Sequence, residues 1–182
     1  YAGGSVALDG GVVLALERLD RVRSFDPLLW RMEVDAGVTT ANVRRVAREG
    51  GLLFAPDPGA AEQSHIGGNI ATNAVGPHAY KYGVTGAWVL GLEVVLPSGE
   101  IWNGLAGLRK DNTGYDLRDL FIGSEGTLGV ITAATLKLYP APAARLTAWA
   151  AVPSVEDAVH LLGLAHRELA GGLTGFEMMG QF

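Results

Sequence analysis

The sequence contains no cysteine. This absence excludes a disulfide, a metal site built from thiolates and a cysteine nucleophile. The four histidines are His65, His78, His160 and His166. They lack the i, i+4 spacing around a glutamate that marks a helical zinc site. We therefore expect no bound metal ion.

Long apolar runs and blocks of positive charge are also missing. No run approaches the roughly 18 uninterrupted apolar residues of a membrane span, and no segment resembles a signal peptide. The net charge is −5, with no cluster of lysine and arginine. Nucleic-acid binding depends on neutralising phosphates, so this balance argues against it. We predict a cytoplasmic protein with no membrane span and no nucleic-acid partner.

Hydrophobic periodicity predicts a mixture of strands and helices. Strands are predicted at 12–16, 31–36, 89–96, 101–102, 130–139, 146–152 and 173–179. Helices are predicted at 39–50, 117–121 and 154–171. Thr39 or Thr40 caps the first helix, Ser154 forms a capping box with Asp157 in the last, and the turn Pro97–Glu100 joins two strands in a hairpin.

Glycine is the residue present in excess, at 26 of 182 positions, about double its usual share. The stretch EQSHIGGNIATNAVGPHAYKYG, residues 62–83, is the richest in glycine and short polar side chains. Its spacing matches neither the Rossmann nor the P-loop motif. Gly67 and Gly68 nevertheless favour two consecutive outward amides that form an anion nest. A glycine turn with capping asparagines is the structural alternative.

Three further segments combine rigid turns with polar residues. FAPDPGA (54–60) fixes the backbone beside Asp57 with two prolines. KDNTGYDL (110–117) favours a polar connecting loop. GSEGTLGVIT (123–132) places three glycines around Glu125 before a strand, which suits the close passage of a flat ligand. A plain turn for the first segment and a β-bulge for the last are the alternatives.

Together these motifs resemble a known family. The residues PDPGA, HIGGNIATNA, KYG, LGLEVVLPSG, KDNTGYDL and LFIGSEGTLGVIT occur in the order typical of FAD-linked oxidases of the vanillyl-alcohol oxidase/p-cresol methylhydroxylase fold. Within that fold the chain resembles the D-lactate, glycolate and D-2-hydroxyglutarate dehydrogenases most, with RKDNTGYDL favouring the last.

The resemblance implies an α+β fold in two parts. Residues 1–140 correspond to an FAD-binding domain of the p-cresol methylhydroxylase type, namely its second subdomain with a mixed or antiparallel sheet and flanking helices. Residues 143–182 correspond to the first βαβ unit of a ferredoxin-like substrate or cap domain. We expect the chain to be a fragment that lacks the family's N-terminal pyrophosphate loop and its histidine-bearing segment near the flavin. No catalytic residue is therefore assigned.

The resemblance also implies a cofactor site for FAD, made of short polar and main-chain contacts. Its residues are Pro56, Asp57, Pro58, Gly59, Ile66, Gly67, Gly68, Asn69, Thr72, Asn73, Glu125, Gly126, Gly129, Val130 and Ile131. One departure is Val75, which replaces the first of two glycines usual after the asparagine-alanine pair. Its side chain would either crowd the flavin or accompany a negative φ angle.

The function implied by the resemblance is oxidation of a D-2-hydroxy acid to the 2-oxo acid. A hydride passes to flavin N5, and the electrons pass to a quinone or flavoprotein acceptor. A homo-oligomer is compatible with the sequence. One alternative is another oxidoreductase on the same fold, such as a UDP-N-acetylenolpyruvoylglucosamine reductase or an alditol or aryl-alcohol oxidase. The other is a non-catalytic FAD-domain subunit of a glycolate-oxidase-like complex.

Overall fold

The computed structural model describes residues 6–180. Its strands are β1 (Val22–Asp26), β2 (Arg31–Asp35), β3 (Leu52–Leu53), β4 (Val89–Val95), β5 (Ile101–Gly104), β6 (Val130–Lys137) and β7 (Tyr139–Pro140). Its α-helices are α1 (Thr40–Glu49), α2 (Ile66–Ala71), α3 (Ala79–Tyr82), α4 (Arg118–Phe121) and α5 (Val155–Leu169). Short 3₁₀ helices lie at Thr85–Trp88 and Ala170–Gly172.

Five strands form an antiparallel sheet in the order β1-β2-β6-β4-β5, and β3 pairs with β7 in a separate two-stranded sheet. Strand β6 is central, because it pairs with β2 on one side and with β4 on the other. The predicted hairpin is confirmed as β4 and β5. The predicted strands at 31–36 and 130–139 are also confirmed, although the second is interrupted after Lys137.

One face of the sheet carries the hydrophobic core. Side chains of a strand alternate between faces, so Met32 and Val34 of β2 point to the same side, where both are fully buried. Helix α1 belongs to the same core through Val43 and Ala47, which lie one turn apart. Full burial of a valine or methionine contributes about 1.5–3 kcal/mol. The amphipathic pattern of α1 therefore fixes this helix to the sheet.

The ends of the two longer helices follow their predicted caps. The Thr39 side chain accepts a hydrogen bond from the Asn42 amide, and Gly50 is the C-cap of α1. The Ser154 side chain accepts one from the Asp157 amide at 3.1 Å. These side chains satisfy amides that have no partner inside the helix. Both helix predictions are confirmed, with α5 ending at Leu169.

The opposite face of the sheet carries an ionic cluster centred on Arg23. Arg23 Nε donates to Asp35 Oδ1 at 2.5 Å, and its terminal nitrogens donate to Glu93 Oε1 and Oε2 at 3.1 and 3.3 Å. Arg21 Nε donates to Asp35 Oδ2 at 3.1 Å. Thr132 Oγ1 donates to Glu93 Oε1 at 2.8 Å. One arginine thus joins β1, β2 and β4 through two carboxylates.

The ionic cluster keeps its carboxylates charged. Burial raises the pKa of Asp35, but hydrogen bonds from Arg23 and Arg21 outweigh it and hold the pKa below its ordinary value. The hydrogen bond from Arg23 likewise lowers the pKa of Glu93. That same hydrogen bond raises the pKa of the Arg23 guanidinium.

Three predicted strands are wrong. Residues 12–16, 146–152 and 173–179 form no strand. Their apolar side chains are largely exposed, with Val12 at 94% and Trp149 at 83%. A strand needs a neighbour for its backbone hydrogen bonds, and no strand within residues 6–180 pairs with these three segments.

The predicted βαβ unit of a cap domain is consequently reduced to its helix, α5, within the described residues. The stripe of apolar residues on this helix has little to pack against, since Val155 and Val159 are exposed and only Ala158 is buried. The division of the chain at residues 140–143 stays a prediction.

Candidate cofactor-binding site

Helix α2 lies within the glycine-rich stretch, and hydrogen bonds join its start to the segment between β2 and α1. The amide of Ile66 donates to Val38 O at 2.9 Å, and the amide of Gly67 donates to Ala36 O at 2.8 Å. An isolated bridge also links Thr39 with His65. These bonds fix the position of the first turn of α2 relative to the sheet.

The two adjacent glycines, Gly67 and Gly68, lie in opposite environments. A Cβ built on Gly67 would lie 2.7 Å from Ala36 Cβ, closer than real Cβ contacts allow. A Cβ built on Gly68 meets no heavy atom within 4 Å among the described residues. The absence of a side chain at Gly67 therefore allows α2 to pack against Ala36, whereas the Cβ position of Gly68 faces open space.

The amides of these glycines also differ. The Gly67 amide is bonded to Ala36 O, whereas the Gly68 amide donates to no acceptor within residues 6–180. The predicted nest of two consecutive outward amides is therefore wrong for this pair, because one of them closes a contact inside the protein. A single main-chain donor remains at the surface.

Two polar side chains of α2 and its C-cap are used within the protein. Asn69 is only 7% exposed, and its Nδ2 donates to Thr40 Oγ1 at 2.6 Å and to Ser64 Oγ at 3.2 Å. Thr72 Oγ1 donates to Gly68 O at 3.0 Å. Both residues stay predicted cofactor residues, but the Asn69 side chain points into the fold.

Asn73 connects this stretch to the next 3₁₀ helix. Its φ angle is +50°, a left-handed conformation that asparagine tolerates better than most residues. Its Oδ1 accepts a hydrogen bond from the Gly86 amide at 2.9 Å. A Cβ on Gly86 would lie 2.8 Å from Ile122 Cγ2 and 3.0 Å from Asn73 Oδ1. Gly86 is therefore packed closely between these two side chains.

We expect Asn73→Ala to lower the free energy of unfolding by about 1–3 kcal/mol, because the Gly86 amide loses its acceptor and alanine is strained at this φ angle. Chemical denaturation measures the change. Asn112→Ala, in an exposed loop, is the control and should leave the unfolding midpoint in place. Equal midpoints for wild type and Asn73→Ala would contradict the structural role of this side chain.

The segment 56–59 lies against the same stretch. A Cβ on Gly76 would clash with the carbonyl group of Asp57. His78 Nδ1 lies 3.2 Å from Ala55 O. The Asp57 carboxylate accepts a hydrogen bond from Arg44 of α1. Pro56 is buried, while Gly59 is exposed.

The segment 123–131 contacts the stretch from the other direction. The amide of Gly123 donates to Ile70 O at 3.0 Å, and the amide of Glu125 donates to Ala71 O at 2.9 Å. Glu125 and Gly126 follow in left-handed conformations, with φ angles of 51° and 79°, and both are exposed. The turn therefore presents its main chain outward beside the end of α2.

The end of this segment enters the sheet. A Cβ on Gly129 would lie 2.7 Å from Val94 Cγ1, and Ile131 is a core residue. Val130, which is half-buried, begins β6. Gly129 thus makes room for the protein's own side chain, although all three residues stay predicted cofactor residues.

The structure resolves the question raised by Val75. This residue has no positive φ angle, and its side chain is exposed. The backbone at this position therefore does not require glycine. Gly76 is the glycine that packing demands here, because Asp57 lies against it.

Two arginines that were not predicted from the sequence, Arg109 and Arg118, hold the loop 105–117. Arg118 NH1 donates to Val89 O at 2.9 Å and to Leu90 O at 2.8 Å, and its Nε donates to Asp116 Oδ1 at 2.8 Å. The hydrogen bonds between Arg118 and Asp116 lower the pKa of Asp116 and raise the pKa of Arg118. Arg109 donates to Leu138 O at 2.6 Å. The carbonyl groups that accept these hydrogen bonds lie 28 or 29 residues from the arginines in sequence, so no local motif marks them.

The segments 56–59 and 123–131 thus both contact the glycine-rich stretch 62–83, and each of the three contains an exposed glycine whose Cβ position is open. The glycines are Gly59, Gly68 and Gly126. A Cβ on any of them meets no heavy atom within 4 Å among the described residues. Bare main chain of this kind lets a ligand approach the backbone closely. The residues present therefore fit FAD, whose pyrophosphate and ribityl chain need such contacts.

Other kinds of site are not found in the part of the chain that the structure describes. No three potential metal-ligating side chains cluster between residues 6 and 180. None of the helices in that range has the length and apolar character needed to cross a membrane.

Comparison with known proteins also identifies an FAD-binding domain. The chain matches the family described as FAD binding domain over residues 1–104. It is 41% identical over 177 residues to the mitochondrial D-2-hydroxyglutarate dehydrogenase of Rattus norvegicus, a match that covers 97% of this chain and 33% of that protein. It is 40% identical over 157 residues to the D-lactate dehydrogenase of Anaerostipes hadrus, with 86% and 33% covered.

A solved structure is also similar. An alkyldihydroxyacetonephosphate synthase superposes with a TM-score of 0.60 at 28% identity, over 70% of this chain and 22% of that one. The chain spans about a third of the length of the curated relatives it matches. The antiparallel sheet, the flanking helices and the family match agree, and the chain belongs to the FAD-binding domain family of the p-cresol methylhydroxylase type.

Proposed function

We propose that the protein oxidises a D-2-hydroxy acid to the 2-oxo acid with FAD as the hydride acceptor. Two relatives that are 41% and 40% identical to this chain over the matched residues support the substrate class, because both are named as dehydrogenases of D-2-hydroxy acids. The observation that carries the proposal is the contact of the segments 56–59 and 123–131 with the glycine-rich stretch 62–83. The activity is proposed for the protein as a whole, of which this domain holds the cofactor.

The proposed cofactor surface consists of the segments 56–59, 66–73 and 125–131. Main-chain groups make most of the contacts, because the side chains of Asp57 and Asn69 are already paired with protein groups. The Gly68 amide is an available donor for an acceptor oxygen, since it has no partner within residues 6–180 and the space at its Cβ position is open. FAD supplies the two-electron chemistry, and these residues bind and orient it.

The proposal also covers the electron acceptor, the cellular location and the oligomeric state of the protein. We expect a quinone or another flavoprotein to reoxidise the cofactor. A cytoplasmic location stays a prediction, because the rat relative is mitochondrial. A homo-oligomeric state stays a prediction as well.

The experiment is an anaerobic titration of the FAD-loaded protein with D- and L-2-hydroxyglutarate and with D- and L-lactate. We expect a D enantiomer to bleach the visible absorption of the flavin and the matching L enantiomer to leave it unchanged. Bound flavin that no D-2-hydroxy acid reduces would contradict the proposed oxidation. That outcome would favour the non-catalytic FAD-domain subunit instead.

A further inference from the structure

A polar cluster joins the starts of α1 and α2 beneath the proposed cofactor surface. It consists of Thr40, Ser64 and Asn69. Thr40 Oγ1 accepts from Asn69 Nδ2 at 2.6 Å and lies 3.0 Å from Ser64 Oγ, and the Thr40 amide donates to Ser64 O at 2.9 Å. Thr40 is fully buried. The cluster therefore links two helices that lie far apart in sequence.

Every side chain in this cluster has a partner. No buried side-chain nitrogen or oxygen within residues 6–180 lacks a hydrogen bond. An unpaired amide or hydroxyl group would be unfavourable in such a site, so the three residues are held together by their shared hydrogen bonds. A satisfied buried network of this kind fixes an orientation more strictly than apolar packing does.

The orientation of α2 depends on such ties. The helix has six residues, and a helix this short is unstable in isolation because its nucleation is costly. Asn69 directly follows Gly68, whose amide has no acceptor within residues 6–180 and whose Cβ position faces open space. A change in the tilt of α2 therefore moves the surface that approaches the cofactor.

We infer that Thr40 and Asn69 are positioning residues for FAD: they orient the Gly67–Gly68 corner without touching the cofactor. The inference rests on the proposed function, in which FAD lies against this corner. It differs from the expectation that the Asn69 side chain contacts FAD. Because Thr40 has no exposed surface, any effect of its hydroxyl on FAD binding must pass through its neighbours.

The test is a double-mutant cycle on the dissociation constant of FAD, measured by fluorescence titration of the apoprotein. We expect Thr40→Val and Asn69→Ala each to weaken FAD binding about five- to tenfold, the factor that one lost hydrogen bond represents. The double variant should bind no more weakly than either single variant, because both remove the same contact. Thr40→Ser keeps the hydroxyl group and should restore wild-type affinity.

Val43→Ala is the matched control for loss of stability. Val43 is fully buried in the same helix but has no polar group. This variant should unfold more easily and bind FAD with unchanged affinity. If Thr40→Val does not fold, a cycle of Ser64→Ala with Asn69→Ala tests the coupling of Asn69 to this cluster through its second hydrogen bond.

Two results would overturn the inference: a wild-type dissociation constant for a folded Thr40→Val, or factors for Thr40→Val and Asn69→Ala that multiply in the double variant. Multiplying factors would show that Asn69 acts on FAD independently of Thr40. A wild-type protein that does not bind FAD would instead refute the proposed function.

Discussion

Replacing Gly67 by alanine is expected to lower the free energy of unfolding by about 1–3 kcal/mol, the range for inserting a methyl group into a packed contact. The new Cβ would lie 2.7 Å from Ala36 Cβ and 3.2 Å from Ala36 O. The backbone has little room to move, because the Gly67 amide is bonded to the same Ala36 carbonyl. Chemical denaturation monitored by circular dichroism measures the loss.

Gly68→Ala is the matched control, one residue further along the same helix. Its Cβ meets no neighbour, and alanine is favoured over glycine in a helix by about 1 kcal/mol. We expect this variant to be as stable as wild type or slightly more stable. Equal destabilisation by both substitutions would contradict the division between a buried and an open glycine.

The substitution Arg23→Met is expected to destabilise the protein by about 3 kcal/mol at neutral pH. Its physical reason is that Glu93 loses its paired cation and that Asp35, which is fully buried, keeps only the largely exposed Arg21. A buried charge that loses its main partner is strongly unfavourable. Arg45→Met is the control, because Arg45 pairs with Glu49 on the exposed surface of α1. An exposed pair of this kind contributes at most about 1 kcal/mol.

The effect of Arg23→Met should depend on pH in a defined direction. The pKa values of Asp35 and Glu93 are lowered in the folded protein. Such carboxylates add stability above their unfolded pKa values, about 4, and this contribution is lost as the pH falls through the folded values. The difference between wild type and variant should therefore shrink in acid. A difference that is the same at neutral and acid pH would assign the effect to packing.

The sequence predicted correctly those helices and strands that are specified by a few neighbouring residues. The alternation at Arg31–Asp35, the capped helix α1 and the β4–β5 hairpin all formed as expected, because period and turn chemistry depend on neighbours in sequence. The strands predicted at 146–152 and 173–179 failed for the opposite reason. Apolar content does not reveal whether a neighbouring strand exists.

The candidate site shows the same limit. The glycine-rich motifs singled out three segments that the structure places in contact. They could not tell which glycine faces outward, because that depends on Ala36, which is remote in sequence. Nor could they show that Asn69 pairs with Thr40, 29 residues earlier. The residue types of a motif can be read directly from the sequence. The direction of each side chain, in contrast, is set by tertiary contacts.

The most direct test of the cofactor assignment is the dissociation constant of FAD for Gly68→Val compared with Gly163→Val. Both substitutions place a branched side chain on a helical glycine with open space around it, but Gly163 lies in α5, outside the proposed surface. We predict that Gly68→Val weakens FAD binding by about 100-fold or more, since the loss of close approach exceeds one hydrogen bond. Gly163→Val should bind FAD as wild type does. Wild-type affinity in Gly68→Val would contradict the placement of FAD along this stretch.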